Sequence, residues 1–130
     1  MKSISFICGE EIVEDQRTGA LYAHKLFDSL EVLQFPVIIP QITFLNLLER
    51  LESEPEKHEF NLTLRLDGVE IFRVVALSDF RGGTVHRNII RIQQLAVPRP
   101  GRFQAIFRLE KQEISRYELV LRQAPIPAAR

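Results

Sequence analysis

Alternation of apolar and polar residues at period two runs through much of the chain and predicts strands. Phe60, Leu62, Leu64 and Leu66 alternate with Asn61, Thr63 and Arg65, the signature of a strand with one face on a core. Asp67-Gly68 follows as a two-residue hairpin turn, since both residues tolerate the positive φ of type I′. The returning segment, Val69–Leu77, is almost wholly apolar and β-branched. It reads as a central strand buried on both faces and interrupted by Arg73. Farther on, Phe103, Ala105, Phe107 and Leu109 alternate with Arg102, Gln104 and Arg108. After a turn at Glu110–Glu113, Tyr117, Leu119 and Leu121 alternate with Arg116, Glu118 and Arg122, which predicts a second hairpin with a polar outer face.

Two segments break the rhythm. In Thr84–Val97, Val85 and Ile89 lie on one face, Ile90 and Ile92 on the other, and Leu95 and Val97 on the first again. Such a switch predicts a long, bent strand with bulges or a change of sheet. In Ile42–Leu51, Phe44, Leu47, Leu48 and Leu51 sit at helical spacing, yet Val37-Ile38-Ile39 before Pro40 is strand-like. The strand reading is preferred there, with a helical turn as the alternative.

Turn chemistry punctuates the chain at Asp15–Gly19, Ser53–Lys57, Asp67-Gly68, Arg81–Gly83 and Pro98–Gly101. Seven or eight strands with little helix predict an all-β fold, an antiparallel β-sandwich, Ig-like or C2-like. Its core is expected to include Phe6, Leu62, Leu64, Phe72, Val74, Ile90, Phe103, Phe107, Leu119 and Leu121. The expected organisation is a single domain over 1–122 and a flexible C-terminal tail over 123–130, where Pro125 and Pro127 resist pairing.

Composition narrows the function. At 130 residues the chain has the length of one domain. Its formal net charge of zero argues against a nucleic-acid partner. No apolar run reaches the roughly 18 residues of a membrane span, and the apolar stretch near the N-terminus is too short for a signal peptide, so a cytoplasmic protein is expected. The charges are unevenly placed: residues 1–65 hold 6 Lys+Arg against 11 Asp+Glu, and residues 66–130 hold 11 against 6. Either complementary strand faces or the docking of an acidic surface on a basic one accounts for this. Thirteen arginines stand beside four lysines. Arg73 either snorkels from a sheet edge or pairs with a buried carboxylate.

Candidate chemistry is sparse. Cys8 follows Phe6-Ile7 in the first strand, is the single cysteine, and reads as core. His24, His58 and His86 share no metal-ligand spacing. His24 is expected as a half-buried strand residue, His58 in a charged loop and His86 as a solvated strand end. Carboxylates cluster at Glu10-Glu11 and Glu14-Asp15, and between Glu49 and Glu59. With Asp67 and Asp79 at loop edges, the first cluster offers the ligands of a calcium site only where the loops converge. Arg81-Gly82-Gly83-Thr84 lacks the lysine and context of a phosphate loop. No catalytic residue, cofactor ligand or metal ligand is assigned.

Several landmarks resemble a family of small uncharacterised bacterial β-sandwich proteins, an Ig-like domain of unknown function. They are the strand ending in Cys8, Thr18-Gly19, Leu26-Phe27, Phe35-Pro36, Pro40, and Pro98-x-Pro100-Gly101-x-Phe103 before a terminal hairpin. The resemblance spans nearly the whole chain and implies a sandwich from bacteria or their phages without assigned activity.

The function expected is therefore a non-enzymatic binding or assembly module. It needs no cofactor, takes a protein partner or a second copy, and self-associates into a homo-oligomer through sheet edges or faces. The alternatives are a small-ligand or calcium-binding sandwich, with Glu11, Asp15, Asp67 and Asp79 meeting at one end, and a structural component of a phage or secretion assembly.

Overall fold

A computed structural model describes residues 1–125, which form nine strands and no helix. They are β1 (Lys2–Glu14), β2 (Leu21–Leu26), β3 (Ser29–Val32), β4 (Val37–Glu49), β5 (Lys57–Leu66), β6 (Val69–Asp79), β7 (Val85–Val97), β8 (Gly101–Leu109) and β9 (Gln112–Gln123). Two sheets pack face to face, one in the order β2-β1-β4-β7 and the other β3-β9-β8-β5-β6. The sandwich expected from the sequence is present, with nine strands instead of seven or eight. One ladder departs from the antiparallel expectation: β3 runs parallel to β9. Strand β9 continues one residue past the boundary drawn at 122, and the Ala124 N–H donates to the Val32 carbonyl. Residues 126–130 of the expected tail lie outside the described residues. Among the described residues no helix is long and apolar enough to cross a membrane.

The core lies between the sheets. Phe44, Phe60, Phe103 and Phe107 are fully buried in it, and the Phe60 and Phe107 rings stack with centroids 4.7 Å apart. Leu62, Leu64, Leu119 and Leu121 are buried as expected, while Phe6, Phe72, Val74 and Ile90 are half-buried at its margin. Two polar bridges cross this apolar layer. Ser3 donates to Asn46, which donates to Ser115 of the opposite sheet. Asn88 donates to Ser78 at 2.5 Å, tying β7 to β6.

Of the two apolar runs, Ile42–Leu51 takes the strand preferred for it, while Val69–Leu77 does not take the central place read for it. The Leu-rich segment Ile42–Leu51 supplies most of β4, which pairs with β1 on one flank and β7 on the other. Residues 42–46 are all buried, so the strand is covered on both faces and shows no period of two. Val69–Leu77, expected as the central strand, forms β6 at the edge of its sheet. Only Ala76 and Ser78 of β6 are buried.

The phase switch in β7 needs neither a bulge nor a change of sheet, because the β4–β7 register is unbroken from Val37↔Val97 to Glu49↔Val85. Gln94 instead takes a left-handed φ of 56°. It lies opposite Pro40, whose missing N–H leaves the ladder open to a kink, and both strands change their core-facing set there together. The Asp67-Gly68 turn has the expected pair of positive φ values, 50° and 81°.

The β1–β2 hairpin adds a partial third layer. Gly9 and Arg91 both pair with Thr43, and from there β1 and the start of β7 run in opposite directions. Yet Arg87 donates to Glu14 and to the Gly19 carbonyl, and Arg91 donates to Glu11 and to the Ile12 carbonyl. A flat sheet would hold these groups far apart, so the distal half of the hairpin folds back over the outer face of β4 and β7. Ile12 and Leu45 are buried there, separate from the main core.

Candidate functional site

The acidic residues singled out in the sequence do not converge. Glu11 pairs with Arg91 at 2.8 Å and accepts from Gln41 at 2.7 Å. Both bonds favour its charged form and hold its carboxyl below the ordinary value of 4.5. Asp15 accepts from the N–H groups of Arg17 and Thr18 in its own turn. Asp67 accepts from the Arg102 N–H, and its carboxylate fills the space a Cβ at Gly101 would need. Asp79 accepts from the Arg81 N–H. Asp67 and Asp79 flank opposite ends of β6, roughly 30 Å apart at strand rise. Among the described residues no group of three or more His, Cys, Asp or Glu comes together as metal ligands.

His24 lies on a strand and His86 at a strand end as expected, but their exposures differ from the reading and His58 is on a strand instead of a loop. His24 is exposed on β2, opposite Glu11. His58 lies on β5 and His86 on β7, both half-buried against the ring of Phe80, with centroids 6.1 Å and 5.4 Å away. Burial pushes the His86 pKa down. Arg50 stands over the same ring at 5.8 Å and is itself buried. Its guanidinium donates to the carbonyls of Gly83, Leu51, Glu52 and Glu54, fastening the β4–β5 loop to the β6–β7 turn. Every polar arm of Arg50 is thus bonded to backbone or faces Glu56 at 3.9 Å, so the cluster serves to close one end of the sandwich. A groove of about 710 Å³ beside it is lined by Pro55, Lys57, His58, Glu59 and the Leu109–Gln112 turn. Cys8 is buried in the core, and burial pushes its thiol pKa up to about 12, far from a nucleophile's.

What the fold leaves open is an edge. Four strands border the sheets, and three are blunted. Strand β3 has only four residues. Strand β2 belongs to the folded-over hairpin. Strand β7 is kinked at Gln94, and its Arg87 and Arg91 are committed to that hairpin. Strand β6 runs for 11 residues with no strand beyond it among the described residues. The Phe80 N–H donates to the Glu56 carbonyl, in register with the β5–β6 ladder. In an antiparallel ladder the residues whose backbone groups face a given neighbour alternate. The even residues 72–78 therefore bond β5, while Arg73, Val75, Leu77 and Asp79 direct their N–H and C=O groups to the open edge.

The side chains of the same four residues lie on the outer face of the five-stranded sheet, because Phe72, Val74 and Ala76 point to the core. Val75 is 51% exposed and Leu77 76%. Of the two settings read for Arg73, the structure shows the sheet edge and not a buried carboxylate: it pairs with the exposed Glu70 at 2.7 Å. A bulge at Ile71, where the β5–β6 register shifts, brings Glu70 onto its face. Val75 and Leu77 escaped the sequence reading because an apolar run looks the same at the centre of a sheet as at its edge. The charge at Arg73 was the one signal of an edge.

The rest of this outer face is a ladder of long polar side chains. Arg102 and Arg116 pair with Glu118, and Arg116 with Glu113. Thr63 and Ile106 are buried between them, with Arg73 and Arg116 as their register partners.

A model for a family of unknown function (DUF6941) matches residues 3–122, and the chain belongs to that family. The uncharacterised β-sandwich family inferred from the landmarks is in agreement. No curated protein matches the chain.

Proposed function

We propose that this DUF6941 protein is a non-enzymatic binding module that recruits an extended strand of a protein partner to the free edge of β6. The observation that carries the reading is the conjunction on one strand of unpaired backbone groups with two exposed apolar side chains, Val75 and Leu77. Strand addition draws its affinity from main-chain hydrogen bonds and its selectivity from alternate side chains, and the same residues of β6 turn backbone groups to the open edge and side chains to the outer face. Natural edges are usually blunted by charge, proline or shortness; β6 is longer than the edge strands β2 and β3 and sets Val75 and Leu77 between its charges. The reading extends to a module of the bacterial cytoplasm, where the single thiol of Cys8 stays reduced.

Affinity purification of the tagged chain from its native cells, beside Val75→Pro, tests this. Proline at 75 deletes an N–H that points away from β5, so the internal ladder keeps its bonds. Proteins retained by the wild-type chain are expected to fall at least about tenfold in the variant, whose melting temperature stays within a few degrees. An identical set of retained proteins contradicts the reading.

A further inference from the structure

We infer that the strand recruited to β6 is β6 of a second copy, paired antiparallel about a two-fold axis at Ala76. The inference rests on the strand-recruiting reading and names its occupant.

The open edge carries, in order, a cation, two apolar residues and an anion: Arg73, Val75, Leu77 and Asp79. Such a row is complementary to itself when reversed. With Ala76 opposite Ala76 of the copy, Arg73 faces the copy's Asp79 and Val75 faces its Leu77. Each pairing occurs twice, as an isologous contact requires. All four pairs join residues whose N–H and C=O groups already point to the edge, so each pair exchanges both backbone bonds. Shifting the register by two residues toward the start of β6 sets Arg73 against Leu77, and a shift of four sets it against Val75. Both lose the charge match, and opposite charges across a ladder stabilise where like charges repel. Arg73 keeps donors for Asp79 of the copy while holding Glu70, since a guanidinium has five. On the core side Ala76 meets Ala76, a small residue at the axis. The result is a continuous sheet across two sandwiches, with the exposed apolar side chains of each β6 covered by the other.

Light scattering on the purified full chain, with three variants, tests the inference. The wild-type chain is expected at twice its 15.1 kDa mass at about 0.5 mM. Arg73→Asp sets two aspartates face to face at both ends and is expected to weaken the dimer at least about tenfold. Arg73→Asp with Asp79→Arg restores it to within about threefold. Ala76→Cys reads the register directly. Position 76 forms a non-hydrogen-bonded pair across the axis, with Cα atoms about 4.5 Å apart, and mild oxidation links it into a covalent dimer. A strictly monomeric wild-type chain overturns the second-copy inference, and the native-cell purification then decides the broader reading separately. A dimer indifferent to Arg73→Asp, or one in which Ala76→Cys fails to cross-link, overturns the register and with it the inference.

Discussion

The two sheets of this sandwich treat their outer faces and edges in opposite ways. The four-stranded sheet folds its own β1–β2 hairpin back over itself, buries Ile12 and Leu45 beneath it, and fastens the cover with Arg87 and Arg91. The five-stranded sheet covers its outer face with a lattice of arginines and glutamates and ends in β6, whose far edge is unpaired among the described residues. Part of the imbalance of charge between the two halves of the chain is met in the first arrangement. Acids of the early residues, Glu11 and Glu14, meet arginines of the later ones, Arg91 and Arg87. A surface satisfied within its own chain has little left to offer a partner, so the five-stranded sheet is where association is to be sought.

Truncating the packing under the hairpin has the largest expected effect. Ile12→Ala removes a side chain with no solvent exposure and should cost about 2–5 kcal/mol in urea unfolding. Leu77→Ala, on the open edge, should stay within about 0.5 kcal/mol. Similar losses at the two sites would erase the contrast. Next come the fastenings. Arg91→Ala forfeits bonds to the Glu11 carboxylate and the Ile12 carbonyl and should cost about 1–2 kcal/mol. Arg116→Ala, whose partners Glu113 and Glu118 are exposed, should cost under about 1 kcal/mol.

Acid sharpens the same contrast with a smaller signal. The Glu11 carboxyl is held below 4.5 by Arg91 and Gln41, so it binds its proton more weakly folded than unfolded. Its contribution is complete above the ordinary glutamate range and is lost as pH falls through the lowered folded value. Glu11→Gln should therefore flatten the decline of melting temperature below about pH 4.5. An unchanged acid limb would mean that the Arg91 contact does little in solution. The smallest effect on stability is expected from Leu77→Lys, which should leave unfolding within about 0.5 kcal/mol while abolishing association.

The strands were legible where one face is buried and the other wet. Phe60–Leu66 and Phe103–Leu109 show their period of two, and both lie where they were expected. Legibility failed where the neighbour of a strand, rather than its own residues, decides its exposure. Ile42–Leu51 and Val69–Leu77 are both apolar runs without alternation, and nothing local says that β1 and β7 will flank the first while, among the described residues, only β5 borders the second. The fold-over of the hairpin was hidden for a similar reason. It depends on Arg87 and Arg91 meeting residues about 70 to 80 positions away in the chain. The left-handed Gln94 could not be read because the residue itself does not demand that conformation; the kink opposite Pro40 does. Of the candidate edge, Arg73 was visible as an anomaly, and Val75 and Leu77 were not.

The most direct measurement is residue-resolved amide hydrogen exchange on the purified chain at low and high concentration. In dilute solution the Val75 and Leu77 amides should exchange fast while Val74 and Ala76, bonded to β5, stay protected. Raising the concentration should protect Val75 and Leu77 as well. Outward amides already protected in the dilute monomer, or still unprotected when concentrated, would contradict the account.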